Sequence, residues 1–282
     1  PDNTRIGTDA ADHYNVISGN GSHGVHLQNT SRAVVKGNNI GALPTLPTDF
    51  GNTGHGIYVE SSDGAAIGGL TNSNEINIIG HNDGDGIRVD GSDNVSIQRN
   101  YVGTNTAINS TGNGGNGINL VNGSSQAMIG DSTRQNIIVY NNLAGISADG
   151  AGAVTNTFTN NRIFENGGLG IELLNGANNA IGTPTITFVN NVGGGLYDVD
   201  LTLTSPPVDC SAGTPCTVEL FVADSSGAPS ALPDASGAGE GYDCATSTTV
   251  TTTCNPNCSV SFTDVDFGGM FPNSTEITAT LI

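Results

Sequence analysis

Glu60, Asp83, Asp85 and Asp90 place four carboxylates around one cation, Arg88, in a chain that has only seven Lys and Arg among 282 residues. Carboxylate oxygens are hard ligands of the kind Ca²⁺ prefers. Glu60, Asp90, Asp83 and Asp85 are therefore the candidate calcium set, and Arg88 is the candidate catalytic group beside them. The plainer chemistry of the same residues is a surface ion pair, which contributes little. That reading is preferred, so no catalytic residue, metal ligand or cofactor is assigned. No other constellation completes a site. The sequence offers no Ser, His and Asp arrangement for nucleophilic catalysis, and no glycine-rich loop between a strand and a helix to cradle phosphate. All five His lie upstream of residue 82, far from any Cys, so zinc-ligand spacing is absent.

The five Cys, at 210, 216, 244, 254 and 258, share one Thr-, Ser- and Gly-rich stretch. Such clustering points to disulfides made in an oxidising compartment. Cys210 with Cys216 would close a short loop, and Cys244 would join Cys254 or Cys258, leaving one thiol over. The expected location is secreted or at a cell surface, the chain being a mature or trimmed piece of an exported protein. A net charge of −19 makes nucleic acid and anionic membranes poor partners. No apolar run is long enough to span a bilayer.

A repeat must position these residues. Gly24-Val25-His26-Leu27, Gly56-Ile57-Tyr58-Val59, Gly86-Ile87-Arg88-Val89, Gly117-Ile118-Asn119-Leu120, Gly145-Ile146-Ser147-Ala148 and Gly170-Ile171-Glu172-Leu173 recur with their Gly 32, 30, 31, 28 and 25 residues apart. Apolar side chains alternate within each, as in a strand with one buried face. Ile6-Gly7, Ile67-Gly68 and Ile129-Gly130 recur at twice that interval, Ile181-Gly182 closes the series, and Asn38, Asn100 and Asn161 keep the same double period. With 41 Gly, 34 Asn and 12% charged residues, a helical bundle or coiled coil is excluded, yet 35% hydrophobic residues can build a core. Short strands that return at a near-constant interval, with no helix between, must pair with the coil above and below. The expected fold is all-β: a parallel β-helix of about six coils over residues 1–182, two coil types alternating, with Asn at a turn where its amide bonds to the next coil.

Stacking at about 4.8 Å per coil sorts outward side chains into columns. One reads His26, Tyr58, Arg88, Asn119, Ser147, Glu172, and the next Gln28, Glu60, Asp90, Val121, Asp149, Leu174. The residue before each Gly reads His23, His55, Asp85, Asn116, Ala144, Leu169. Ionisable groups gather on the first three coils, where Glu60 and Asp90 become neighbours beside Arg88.

The strings Asn15-Val16-Ile17-Ser18-Gly19-Asn20, Ile67-Gly68-Gly69 and Gly86-Ile87-Arg88-Val89, with Asn100 two before Val102, resemble the right-handed parallel β-helix repeats of secreted and cell-surface bacterial proteins. These belong to the pectate-lyase-like superfamily. The resemblance implies the fold and leaves function open, since members include lyases, hydrolases, epimerases, tailspikes and adhesins. It also sharpens the rival reading, because calcium-dependent pectate lyases use Arg as the base, the role Arg88 would take. Gly54-His55-Gly56 is similar to a polygalacturonase motif, but the paired aspartates and downstream basic motif of that family are missing.

After Gly182 Asn thins and Cys appears. Alternating runs at 185–189, 197–203, 217–222, 245–251, 259–267 and 276–281 predict a small Ig-like antiparallel sandwich over residues 183–282. Insertions at 42–53 and 104–115 leave equivalent corners two coils, or roughly 10 Å, apart. Pro44, Pro47, Phe50, Asn105 and Asn109 are the candidate binding residues there. The sequence thus points to a non-enzymatic extracellular adhesin segment or filament subunit that self-associates or meets a host-surface or carbohydrate ligand. The alternative is a calcium-dependent polysaccharide lyase or related carbohydrate-active enzyme.

Overall fold

The computed structural model describes residues 2–10, 14–44, 50–69, 73–180, 185–204, 216–222, 243–250, 257–266 and 277–281. The chain divides into two compact units, Pro1–Asn179 and Ala180–Ile282.

The first unit is a parallel β-helix whose coils each lend one strand to three sheets of six strands. Sheet 1 stacks Arg5–Ile6, Val34–Val35, Ala66–Gly68, Ser96–Gln98, Met128–Ile129 and Thr157–Phe158. Sheet 2 stacks Asn15–Ile17, Asn38–Ile40, Ile78–Ile79, Tyr101–Val102, Ile137–Val139 and Arg162–Phe164. Sheet 3 has the longest strands: Val25–Gln28, Ile57–Glu60, Ile87–Asp90, Ile118–Val121, Ile146–Asp149 and Ile171–Leu174. Every pairing is parallel, and like residues sit over like, as in Val25↔Ile57 and Ile57↔Ile87. Inside the coil, Ile and Val from the three sheets form one core running from coil to coil, including Ile40, Ile67, Ile79, Ile87, Ile97, Ile118 and Ile138. Burying each such side chain contributes roughly 1.5–3 kcal/mol.

Two of the corners are held by asparagine ladders. At the first, the Nδ2 of each Asn donates to the Oδ1 of the next through Asn15, Asn38, Asn77, Asn100, Asn136 and Asn161, at 2.8–3.1 Å. At the second, Asn20, Asn52, Asn82, Asn113, Asn141 and Asn166 do the same at 2.7–2.9 Å. Each interior rung also donates to a backbone carbonyl, so the buried amides are satisfied in full. The sequence reading found an Asn in alternate coils only. The structure puts one in every coil, and Asn77 and Asn136 fill the gaps because each precedes an inward Ile, Ile79 or Ile138, by two residues.

The second unit is antiparallel. One sheet runs Thr185–Gly193, Leu196–Thr204, Asn257–Asp266, and another Asp243–Val250, Cys216–Val222, Ile277–Leu281. These six strands match the six alternating runs. Tyr197, Val199, Leu201 and Leu203 alternate inward on the central strand of the first sheet. Among the described residues no helix is long and apolar enough to cross a membrane.

Candidate functional site

In sheet 3 the apolar members of each strand point into the coil, which forces the intervening residues out. The register therefore aligns His26 with Tyr58, Tyr58 with Arg88 and Arg88 with Asn119, and sets Gln28 beside Glu60 and Glu60 beside Asp90. The column continues through Ser147 and Glu172.

At the turn entering the sheet, His23 and His55 stack with centroids 5.0 Å apart and planes 5° from parallel. His26 lies over Tyr58 at 4.7 Å and 13°. Rings stacked from coil to coil cover one another's faces, leaving their polar edges for an approaching molecule. The amide of His55 donates to His23 Nδ1 at 3.0 Å, and the amide of Asp85 donates to His55 Nδ1 at 2.9 Å. An N–H donor fixes both Nδ1 atoms as acceptors, so each neutral ring carries its proton on Nε2. Asp85 Oδ2 also comes within 3.5 Å of His55 Nδ1, but that is no ion pair while the nitrogen is accepting.

Burial, first of all, holds both imidazoles below their ordinary value. The neighbouring His26 and Arg88 add to this at His23, where Glu60 opposes it. At His55 Asp85 opposes it and Arg88 reinforces it. Burial and then the hydrogen bond to Asp90 push the Tyr58 phenol up. Since the folded chain protonates these His less readily than the unfolded one, their stabilising effect is whole above pH 6.5 and is lost as pH falls through the folded values. The thermal midpoint of the β-helix should accordingly drop between pH 7.5 and about 5, and His55→Gln should flatten that slope. A pH-independent midpoint over this range would contradict the arrangement.

The carboxylates are engaged separately. Asp85 Oδ2 meets Arg88 NH1 at 3.4 Å and accepts from Asn119 Nδ2 at 3.0 Å, while its Oδ1 accepts the Asn116 amide at 2.8 Å. Asp90 accepts from the Tyr58 hydroxyl at 3.1 Å and from Asn122 Nδ2 at 2.7 Å, with Arg88 Nε 3.6 Å away. Glu60 Oε2 takes His26 Nε2 at 2.9 Å and Gln28 Nε2 at 2.8 Å. Asp83 stands exposed at the turn. Among the described residues no three His, Cys, Asp or Glu are grouped to hold a metal ion. Glu60, Asp90 and Arg88 are thus neighbours as the columns require, but the four acids of the calcium set do not converge on one point.

Residues 10–200 match the family described as right handed beta helix region. The chain belongs to the right-handed β-helix family. Among solved structures it is similar to the A-module of mannuronan C-5 epimerase AlgE4 from Azotobacter vinelandii, with 18% identity over 62% of this chain and 53% of that one and a TM-score of 0.32. The match thus spans about half of the epimerase module. No curated protein matches the chain.

In this β-helix the two insertions touch. The Thr106 hydroxyl donates to the Pro44 carbonyl at 2.7 Å, so the loops bridge the two-coil gap between their corners. The intervening coil makes the same corner with His81 alone, between Gly80 and Asn82. Asn105 is not offered to a ligand either. It is fully buried, and its Oδ1 accepts the amides of Ala107 and Asn109 at 3.0 and 3.2 Å. The Asn109 carbonyl in turn accepts the Thr104 hydroxyl at 2.9 Å, so both Asn set the shape of the loop. Phe50 is 45% exposed. Pro47 lies outside the described residues, as do Cys210 and Cys254, and with them the expected pairings of Cys216 and Cys244. Asn116 and Asn122, which hold Asp85 and Asp90, were missed as members of the site. Asn122 follows its strand at the turn position that Asn29 and Asn175 also occupy, all with positive φ, and that recurrence was the available signal.

Proposed function

We propose that the protein is a non-enzymatic extracellular β-helix, a surface adhesin segment or filament subunit, whose sheet 3 face over the first four coils contacts a glycan. The observation that carries this is the mutual engagement of the charged groups. Arg88 is shared between Asp85 and Asp90, and Glu60 between His26 and Gln28, so the charged groups balance one another along the face and do not converge on one reacting atom. What such a face offers is a rigid strip of hydrogen-bonding edges repeating at about 4.8 Å, suited to a chain of hydroxylated units. The clustered Cys support an oxidising, extracellular setting.

The adjacency of Glu60, Asp90 and Arg88 favours the lyase as the second reading. Incubation with polyuronate and Ca²⁺ separates the two. No ultraviolet-absorbing unsaturated product should form, while glycan retention should fall about tenfold in a His26→Ala, Tyr58→Ala double variant. Product formation that Arg88→Ala abolishes would replace the adhesive reading with the enzymatic one.

A further inference from the structure

We propose that His23 and His55 form an acid-operated latch: mild acid releases the first two joints at the entry to sheet 3 while the later coils stay closed. The inference goes beyond the glycan-contact reading and does not depend on it. It stands on a third ladder. In the column that precedes each repeat Gly, a side-chain atom of one coil accepts the backbone amide of the same column in the next. His23 Nδ1 takes the amide of His55 at 3.0 Å, and His55 Nδ1 that of Asp85 at 2.9 Å. Asp85 Oδ1 takes the amide of Asn116 at 2.8 Å, and Asn116 Oδ1 that of Ala144 at 3.0 Å. The four joints share one arrangement, but their acceptors differ in kind. An amide or carboxyl oxygen still accepts in mild acid, whereas an imidazole Nδ1 that gains a proton becomes a donor and has nothing to offer the amide.

The rings have no way round this. A Cβ on Gly54 or Gly84 would stand 2.6 Å from the Nδ1 of His23 or His55, so each ring lies hard against the next coil. Turning a ring over presents Cδ2–H to the same amide. The two rings are also stacked at 5.0 Å, so a proton on each sets like charges face to face.

The groups around them set when this happens. His23 faces His26 of its own coil, His55, Tyr58 and Glu60 of the second, and Arg88 of the third. His55 faces His23, Tyr58, Asp85, Arg88 and Asp90. Burial, first of all, and Arg88 resist protonation; Glu60 favours it at His23, and Asp85 and Asp90 favour it at His55. Both rings thus hold their protons less readily than in the unfolded chain, so the latch is shut above pH 6.5 and opens as pH falls through the folded values. Asp85 gives His55 a second resting state. Its Oδ2 lies 3.5 Å from His55 Nδ1, so the protonated ring pairs with the carboxylate of Asp85 as it stops accepting that residue's amide.

The test is amide hydrogen exchange of the full chain from about pH 7.5 to about 5, corrected for the pH dependence of intrinsic exchange. Protection of the His55 and Asp85 amides should fall about tenfold or more, while the Asn116 and Ala144 amides should change by less than about twofold. The double variant His23→Asn, His55→Asn puts the Asn116 acceptor at both early joints. It should keep the neutral-pH protection and lose the fall in acid. In His26→Gln the fall should persist, since His26 Nε2 meets the Glu60 side chain.

Constant protection at His55 and Asp85 would overturn the latch. Equal losses at all four amides would show general loosening in acid, and a fall that survives in the double variant would put the trigger on another group; either result overturns it too. The contrast between early and late joints in the parent chain decides the matter even if the double variant does not fold.

Discussion

Replacing Asn82 by Asp should cost the β-helix at least about 4 kcal/mol, a large part of the 5–15 kcal/mol that separates folded from unfolded chains. The side chains are nearly the same shape, so the effect is one of donors. Asn82 Nδ2 gives hydrogen bonds to Asn113 Oδ1 at 2.9 Å, the Gly80 carbonyl at 3.1 Å and the Ile40 carbonyl at 3.4 Å, and the residue is 1% exposed. A carboxylate keeps the bonds accepted from Asn52 but turns an oxygen toward three oxygens. Each buried partner left unsatisfied costs about 1–3 kcal/mol, and the charge has no counter-ion there. Asn20 is the control, since it begins the same ladder in an exposed position and donates to Asn52 Oδ1 at 2.7 Å. Asn20→Asp can turn to water and should cost about 1 kcal/mol or less. Urea unfolding followed by the β-sheet circular dichroism band compares the two. Similar midpoints would mean that the ladder does not hold the coils together.

That ladder shows how far the sequence could be read. The sheet 3 strands were legible because each begins on Gly and alternates, and period two admits one inward set only. The outward columns follow by arithmetic, which sets Tyr58 beside Arg88 and Glu60 beside Asp90, the register that the strands adopt. The second asparagine ladder is equally present, four residues before every repeat Gly from Gly24 to Gly170, but the sequence reading singles out only the series of Asn38, Asn100 and Asn161. A recurring polar residue in a turn has two explanations, local backbone preference and contact with the next coil, and only stacking decides between them.

The site was less legible than the fold for a related reason. Columns give adjacency without giving direction. Asp85, Asp90 and Glu60 look like a shared ligand set when written as letters. In space each turns toward a different donor: Asp85 to Asn116 and Asn119, Asp90 to Tyr58 and Asn122, Glu60 to His26 and Gln28. The loops failed differently. Insertion length could be counted, but whether two loops lean together depends on what lies between them, here a single residue, His81.

Gly68→Ala should destabilise the fold by about 2–4 kcal/mol, while Gly91→Asn, also at a positive φ, should stay within about 0.5 kcal/mol of the parent. The backbone conformation does not separate them, since φ is +91° at Gly68 and +54° at Gly91 and both lie in the left-handed region. What separates them is the coil stacked above. A Cβ on Gly68 would be driven into the Gln98 carbonyl oxygen and would stand 2.6–2.7 Å from the amide atoms of Asn100, a rung of the first ladder. Neither backbone nor ladder can yield without opening the corner. At Gly91 the nearest atom is the Asn122 carbonyl oxygen at 3.8 Å, and the equivalent turn position in the adjoining coils is filled by Ser61 and Asn122 at φ 47° and 54°. Asn there also narrows the unfolded ensemble, which favours folding. Equal losses in thermal midpoint for the two variants would assign the cost to φ alone. Unequal losses would identify the Ile-Gly repeat as the space that the asparagine ladder requires, a demand set by stacking and felt at every coil that carries both.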